Sequence, residues 1–592
     1  MIRLADFIIK FLEKKGITTV FTVSGGGSIY LCDALYKSKK IKYISHHHEQ
    51  AASFAAESYA RAKKNVGCCL VTTGPGGTNA LTGVSSAWID SVPVIFISGQ
   101  VFLNQTIKKT KKRQIGVQEI NIIDLVKPIT KFSKMITDPN TINFELEKAY
   151  NISISGRPGP VFIDIPADIQ NAMIDEKKIL RKKFKPKKIV SSIDSKVDRI
   201  IKSLKNSKKP LIHLGHGVRL SNSENIIKKF FNKHKIPFVL TWNADDIISH
   251  EHKMYCGRPG AFGERGSNFI IQNCDFYLSI GTRLPYMVTG YNVKKFATRA
   301  KFKAMVDIDS NELKKNDLKI DLKIKSDAKI FLEKLFQKLK KYNSNKKWLD
   351  YCLKIRRKYP ILIDKMINEK KYVNSYFFVK TLSKLTKKND NIITDMGFSF
   401  TTSHQAFKIK DNQNFYTNSG HAPMGWGLPA AIGAYYAQKK KSSVICLSGE
   451  GGFQMNIQEL ATILHNKIPL KIFIFNNGGY LTIKQTQILG FKGRIMGADK
   501  DSGLSFPNYK EISKAHNITY KKILNHKNLN QKISKILKDK NSVICELIMN
   551  PDEEQIPKAI NRRNASGKSI PTEFEDMYPF LPRDELNSNY LD

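Results

Sequence analysis

The sequence predicts an α/β protein made of three doubly wound parallel-sheet domains, and three observations lead there. At 592 residues the chain is too long for one hydrophobic core, given roughly 100–200 residues per domain. Short apolar runs of strand length alternate with segments of helical spacing along most of the sequence. Several of those runs stop at glycine, aspartate or asparagine, as expected where strands of a doubly wound sheet end beside a ligand.

The first domain is expected over residues 1–175. From Met1 to Gly16, charges at Arg3, Asp6, Lys10, Glu13, Lys14 and Lys15 interleave with apolar residues at helical spacing, the pattern of an amphipathic helix and not of a signal peptide. Ile41 to Ile44 is a strand, Glu49 to Ala62 a helix of small residues, and Cys68-Cys69 lie in the strand run Val66 to Thr72. A turn from Gly156 to Pro160 feeds the buried strand that ends at Ile165-Pro166. The lysine-rich stretch Lys177 to Lys188 reads as a linker to a central domain over 190–340. There the strands Pro210 to Leu214, Phe276 to Ile280 and Ala304 to Ile308 run into Gly215-His216-Gly217, Gly281-Thr282-Arg283 and Asp309. The third domain, 365–550, holds strands Asn391 to Thr394, Ser443 to Leu447 and Lys471 to Phe475, with a helix from Ile457 to His465, and a tail follows over 551–592.

Composition sets several function classes aside. The chain is 41% hydrophobic and 25% charged, so a packed globular protein is expected and disorder is not. Its net charge of +45 reads as lysine spread over solvated faces, and the densest run, Lys108 to Arg113, as an exposed loop. No aromatic-interleaved basic motif points to nucleic acid. No apolar run approaches the ~18 residues that span a bilayer, so no membrane partner is expected. Eight cysteines without a C-x-x-C pair suggest neither a disulfide framework nor structural zinc, and a cytoplasmic location is expected.

The chemistry-bearing segments lie at strand ends. Gly449-Glu450-Gly451-Gly452 follows one strand and Asn476-Asn477-Gly478-Gly479 the next. A carboxylate and an amide oxygen delivered to one sheet edge suit a hard cation such as Mg²⁺, which takes few protein ligands and completes its octahedron with phosphate oxygens and water. The glycines permit close backbone approach, and a following helix offers its positive end to a phosphate. His46-His47-His48 invites a metal reading, but successive residues at a strand end point in different directions.

Together these segments resemble the thiamine-diphosphate enzyme family, in its acetolactate synthase large-subunit type. The family shows Gly-Asp-Gly followed, after a helix and a strand, by Asn-Asn; here Glu450 stands at the aspartate position. His48-Glu49-Gln50-Ala51-Ala52, Thr73-Gly74-Pro75-Gly76-Gly77-Thr78-Asn79, Trp88-Ile89-Asp90-Ser91-Val92-Pro93 and Pro423-Met424-Gly425-Trp426-Gly427 carry the likeness further. The resemblance implies thiamine diphosphate and Mg²⁺ as cofactors, with Glu450, Asn477 and the Gly479 carbonyl as metal ligands. It implies Glu49 and Gln118 as catalytic residues, Glu49 exchanging a proton with the cofactor's pyrimidine ring and so activating the thiazolium carbon. Cofactor contacts would come from Gly26, Pro75, Asn79, Gly397, Phe398, Ser399, Met424, Gly449, Gly451, Gly452, Gly479 and Tyr480, with Met424 wedged between the cofactor's two rings. It further implies a homodimer or homotetramer whose active sites lie at the subunit interface.

The departures gather where a second substrate would sit. Gln485-Thr486-Gln487 replaces the family's Gln-Trp-Gln, Pro285-Tyr286-Met287 its Asp-Asp-Arg, and Val117 the phenylalanine before Gln118. The expected function is a carboligase that decarboxylates pyruvate or a similar 2-oxo acid and transfers the acyl unit to a carbonyl acceptor. Acetyl transfer to a nucleotide-linked keto sugar and simple decarboxylation stay open as alternatives. The central domain resembles a flavin-binding unit, and its changed Pro285-Tyr286-Met287 segment leaves FAD open as well.

Overall fold

A computed structural model of the chain describes all residues except 108–109, 181–183, 185–191, 316, 439–441, 564–568 and 592. Three all-parallel sheets organise it. The first contains β1 (Thr19–Thr22), β2 (Lys42–Ser45), β3 (Gly67–Val71), β4 (Val94–Gln100), β5 (Phe132–Met135) and β6 (Val161–Pro166), in the order β2-β1-β3-β4-β6-β5. The second contains β7 (Pro210–Leu214), β8 (Phe238–Leu240), β9 (Phe276–Ile280), β10 (Phe302–Asp307) and β11 (Leu322–Lys325), in the order β8-β7-β9-β10-β11. The third contains β12 (Asn391–Thr394), β13 (Asn414–Tyr416), β14 (Val444–Gly449), β15 (Lys471–Asn476), β16 (Thr519–Ile523) and β17 (Val543–Ile548), in the order β13-β12-β14-β15-β17-β16. The first and third sheets therefore share one winding: their strands fall in the same relative order.

Helix α1 (Leu4–Lys14) is the amphipathic opening helix and buries Leu4, Phe7, Ile8, Phe11 and Leu12 on one face. Helix α2 (Glu49–Lys63) starts beyond β2, where the His48 Nδ1 caps it by accepting the Gln50 backbone N–H. Its small residues allow burial on nearly every side. Within the third sheet's domain, α3 (Phe398–Ala406) follows β12, and α4 (Gly427–Ala437) lies directly on α2. That approach needs glycine: a Cβ on Gly433 would stand 2.1 Å from the Ala55 carbonyl oxygen. A continuous core of Phe54, Ala55, Tyr59, Trp426, Ala430 and Ala434 thus runs from the first domain into the third.

Some expected elements change form. The helix expected over Ile457 to His465 is preceded by a separate short helix, α5 (Glu450–Met455), and itself starts later as α6 (Glu459–His465). Asn456 interrupts them at φ −133°, because its amide is committed to the Gly425 carbonyl and the Gln50 side chain. The Gly449–Gly452 turn is consequently the first turn of a helix. A further helix, α7 (Leu481–Gly490), follows β15. The tail packs on the central domain: Phe574 and Leu586 are buried there, and Arg265 donates to the Met577 and Pro579 carbonyls. Of the linker, Glu176–Ile179 forms one helical turn and most of the rest lies outside the described residues. Lys108 and Lys109 also lie outside them, and Thr110 to Arg113 is exposed loop.

Candidate active site

Strands β14 and β15 are parallel neighbours, so both deliver their carboxyl ends to the same edge. Glu450 sits there at the head of α5, 1% exposed, and its Oε1 accepts the Gly478 backbone N–H at 2.8 Å. Its Oε2 is buried without a partner. The Asn477 side-chain oxygen, on a residue 6% exposed, is likewise buried and unpartnered. Two orphaned oxygens of this kind each carry a desolvation cost unless something not yet present satisfies them. A hard cation does so, and the donor set of one carboxylate and one amide oxygen fits Mg²⁺. Burial raises the Glu450 carboxyl to about 7, against the opposing pull of backbone N–H groups from Asn477, Glu450, Gly478 and Gly479. Among the described residues no three His, Cys, Asp or Glu gather into a metal cluster, consistent with a site that draws on a single carboxylate.

The surrounding glycines separate into two kinds. Gly449 and Gly478 face open space, and Gly478 holds φ +78°. At Gly451 a Cβ would stand 2.1 Å from the Tyr480 ring and 2.7 Å from the Met424 methyl, so that glycine keeps two side chains close together. Gly479 is packed against the Ala498 carbonyl, 2.1 Å from where a Cβ would be. Gly397, at φ +78°, starts α3, and Phe398 and Ser399 form its buried first turn, whose N–H groups suit a phosphate.

Asp395 organises these loops, and motif reading gave it no role of its own. It is fully buried after β12, and its Oδ1 accepts the Met396 and Gly425 N–H groups at 2.7 and 3.1 Å. Its Oδ2 accepts the Ser448 hydroxyl at 3.0 Å and the Gly427 N–H at 3.2 Å. Asp395 therefore anchors the loop just after Met424 at two backbone N–H groups. Burial pushes that carboxyl up to about 6. The signal available in the sequence was an aspartate at a strand end, a pattern shared with ordinary turns.

The second half of the site lies in the first domain. Glu49, 9% exposed, opens α2, and Asn79 donates its side-chain amide to Glu49 Oε2 at 2.9 Å. Gly76 lies against Oε1, with a Cβ position 3.6 Å away, and Pro75 is the first residue of the short helix Pro75–Asn79. Gly25 and Gly27 are pressed on Thr72 and Thr73, whereas Gly26 between them faces open space. Gln118 is exposed, at φ +64°, and its carbonyl packs under Gly74. The three histidines diverge: His46 pairs with Glu459 at 2.7 Å and His48 caps α2. Among the described residues no hydrogen bond or ion pair joins Glu49 to the Glu450 or Asn477 loops.

Comparison with known proteins bears directly on this arrangement. Three family descriptions match in order: thiamine pyrophosphate enzyme N-terminal TPP binding domain over residues 2–122, central domain over 197–335, and C-terminal TPP binding domain over 395–547. The acetolactate synthase large subunit of Cyanidium caldarium is 32% identical over 93% of this chain and 94% of its own length. A probable acetolactate synthase large subunit of Methanocaldococcus jannaschii is 33% identical over 93% and 92%. The isozyme 2 large subunit of Escherichia coli is 31% identical over 83% and 86%. This chain belongs to the thiamine-diphosphate enzymes of the acetolactate synthase type.

Met424 joins an apolar cluster with Met396 and Phe400 of its own domain and Trp242, Phe262 and Met287 of the central domain. Met287, at the altered segment, thus presents a thioether beside the cofactor loop. Thr486 is exposed on α7, its hydroxyl turned back to the Thr482 carbonyl, while Gln487 bonds the Met496 backbone twice. Val117 is 84% exposed. The carboxyl ends of the central strands open on a cavity of about 450 Å³, walled by His216, Gly281, Asp307, Arg157, Met287 and Ser419 among others. His216 and Gly217, with Gly281, Thr282 and Arg283, line this cavity at the carboxyl ends of the strands.

Proposed function

We propose that the chain decarboxylates pyruvate or a similar 2-oxo acid and joins the acyl unit to a carbonyl acceptor, with a second 2-oxo acid as the acceptor. The observation that carries the reading is the pair of unpartnered buried oxygens, Glu450 Oε2 and Asn477 Oδ1, beside glycines that face open space. Glu450, Asn477 and the Gly479 carbonyl would hold Mg²⁺; Gly449, Gly451, Gly452, Gly397, Phe398, Ser399 and Tyr480 would receive the diphosphate. When bound, thiamine diphosphate supplies the electron sink for breaking the bond between a 2-oxo acid's carbonyl carbon and its carboxylate. Glu49 holds and moves the proton at the pyrimidine side, reached past Gly26 and Pro75. Because Asn79 occupies Oε2, Oε1 is left for the ring. Met424 sets the bend of the cofactor and closes the apolar wall with Met287 and Trp242, excluding water. Gln118 stands beside the pyrimidine turn as a substrate-facing group.

The relatives named above are acetolactate synthase large subunits, which favours ligation over the keto-sugar and simple decarboxylase alternatives. The same reading divides the chain at 1–175, 190–340, 365–550 and 551–592. It makes the working unit at least a homodimer, since Glu49 and the Glu450 loop of one chain form separate half-sites. Eight free cysteines suit a reducing cytoplasm. Among the described residues no helix is long and apolar enough to cross a membrane. Mass spectrometry of products from labelled pyruvate, alone, with 2-oxobutyrate and with a nucleotide-linked keto sugar, tests the proposal. Acetolactate from pyruvate alone is expected; acetaldehyde as the sole product, or label only in the sugar, overturns it. Visible absorbance of the purified protein reports whether the central cavity carries flavin.

A further inference from the structure

The helix that begins at Glu49 carries a second carboxylate, Glu57, which is completely buried and takes no part in the chemistry above. Its Oε1 accepts the Arg61 Nε–H at 2.9 Å and also meets Arg61 Nη2. Its Oε2 accepts the Trp426 indole N–H at 2.6 Å and the Asn418 amide at 3.1 Å. Arg61 continues to Asp90 at 2.8 Å, and Asp90 accepts the Asn243 amide at 3.3 Å. Asn243 in turn accepts the Ser419 hydroxyl at 2.9 Å. All three domains meet in this one network.

Two buried carboxylates share one guanidinium here, and the indole and amide donors complete their hydrogen bonds. Such buried ionic groups are weak contributors to stability compared with apolar packing, and their best-attested use is to fix one arrangement among several. What they fix here is visible. Asn418 and Trp426 are the two ends of the loop that carries Met424, and both are tied to the same Glu57 oxygen. Asp395 accepts the Gly425 and Gly427 backbone N–H groups of the same loop. The loop contains left-handed residues at Ala422 (φ 58°) and Gly425 (φ 84°), so its path is not one that local preference imposes. Arg61 lies over the Trp426 ring at 5.8 Å and holds that indole in place.

We propose that Glu57 is a positioning residue for thiamine diphosphate, acting through Trp426 and Asn418 to place Met424. The inference rests on the thiamine-diphosphate reading of the site. An amide at position 57 could not accept from Arg61, Trp426 and Asn418 together, since one of its two ends is a donor. A phenylalanine at 426 stays apolar and removes the indole N–H together with part of the buried ring volume.

The test compares wild type, Glu57→Gln, Trp426→Phe and Glu57→Asp for thiamine diphosphate affinity by fluorescence quenching, for near-ultraviolet circular dichroism of the bound cofactor, and for melting temperature. Loss of a charged hydrogen bond corresponds to about tenfold or more in a dissociation constant. The expected result is a thiamine diphosphate Kd raised by that factor in both Glu57→Gln and Trp426→Phe, an altered cofactor dichroism, and a pyruvate KM that stays within about twofold of wild type. Glu57→Asp, which keeps the charge, should fall between. Unchanged cofactor affinity and dichroism in folded Trp426→Phe overturns the inference even if Glu57→Gln does not fold, and so does a lowered melting temperature as the only effect. Failure of the wild-type protein to bind thiamine diphosphate is a different result, which removes the functional reading itself.

Discussion

The first and third sheets wind their strands in the same order, yet they finish their carboxylates differently. Glu49 is partnered, with Asn79 holding one oxygen in place. Glu450 Oε2 and Asn477 Oδ1 are buried and find no partner among the described residues. The first sheet ends beside a carboxylate that a side-chain amide orients; the third ends beside unpartnered oxygens at an edge rich in glycine. The winding is shared and the loops after the strands differ, so the loop residues and not the strand order set what each sheet edge can hold.

The comparison can be broken most forcefully at its two carboxylates. Glu49→Gln should retain the cofactor while turnover falls by about 10²–10⁴-fold, the usual worth of a positioned acid or base. Normal exchange of the thiazolium C2 proton in that variant, followed by NMR, would end the assignment. Glu450→Ala should act the other way, losing the cofactor first. Even partners behind a metal ligand are worth about 10–100-fold in metal affinity, so a direct ligand should cost at least as much, measured by titrating Mg²⁺ into the apoprotein with thiamine diphosphate present.

Smaller effects sharpen the same contrast. Gly451→Ala must displace Tyr480 or Met424, an overpacking change of about 1–3 kcal/mol that should show in both melting temperature and cofactor affinity. Asp395 adds a pH signature. Its folded carboxyl, raised to about 6, binds a proton more tightly than the unfolded chain does, so its contribution to stability is fully present below the ordinary aspartate range and is lost as pH rises through about 6. Asp395→Asn should be less stable, through lost acceptors, and its melting temperature should vary less with pH over that window. Thr486→Ala, exposed on α7, should change stability by no more than about 0.5 kcal/mol, and differential scanning fluorimetry is enough to check it.

Motif reading reached far where function demands a particular residue type. The Gly449–Gly452 and Asn476–Gly479 segments, Glu49 and Met424 were all legible because close backbone approach, a hard oxygen donor and an apolar wedge each restrict what can stand there. Asp395 and Glu57 were not legible. Their partners are Gly425, Gly427, Trp426 and Asn418, distant in sequence, and a buried aspartate or glutamate has the same one-letter appearance as a solvated one. The helix break at Asn456 was hidden for the same reason, since it answers to a carbonyl thirty-one positions away.

By itself, then, the sequence determined the three parallel sheets and the family, because strand-length apolar runs and glycine-flanked polar residues are local patterns. Only the tertiary structure decided that Glu450 Oε2 and Asn477 Oδ1 lack partners among the described residues, that Asp395 and Glu57 both bond the segment carrying Met424, and that Met287 packs with Trp242, Met396 and Phe400. Burial and hydrogen-bond satisfaction are properties of what surrounds a group in space, and they come into being only when the domains pack.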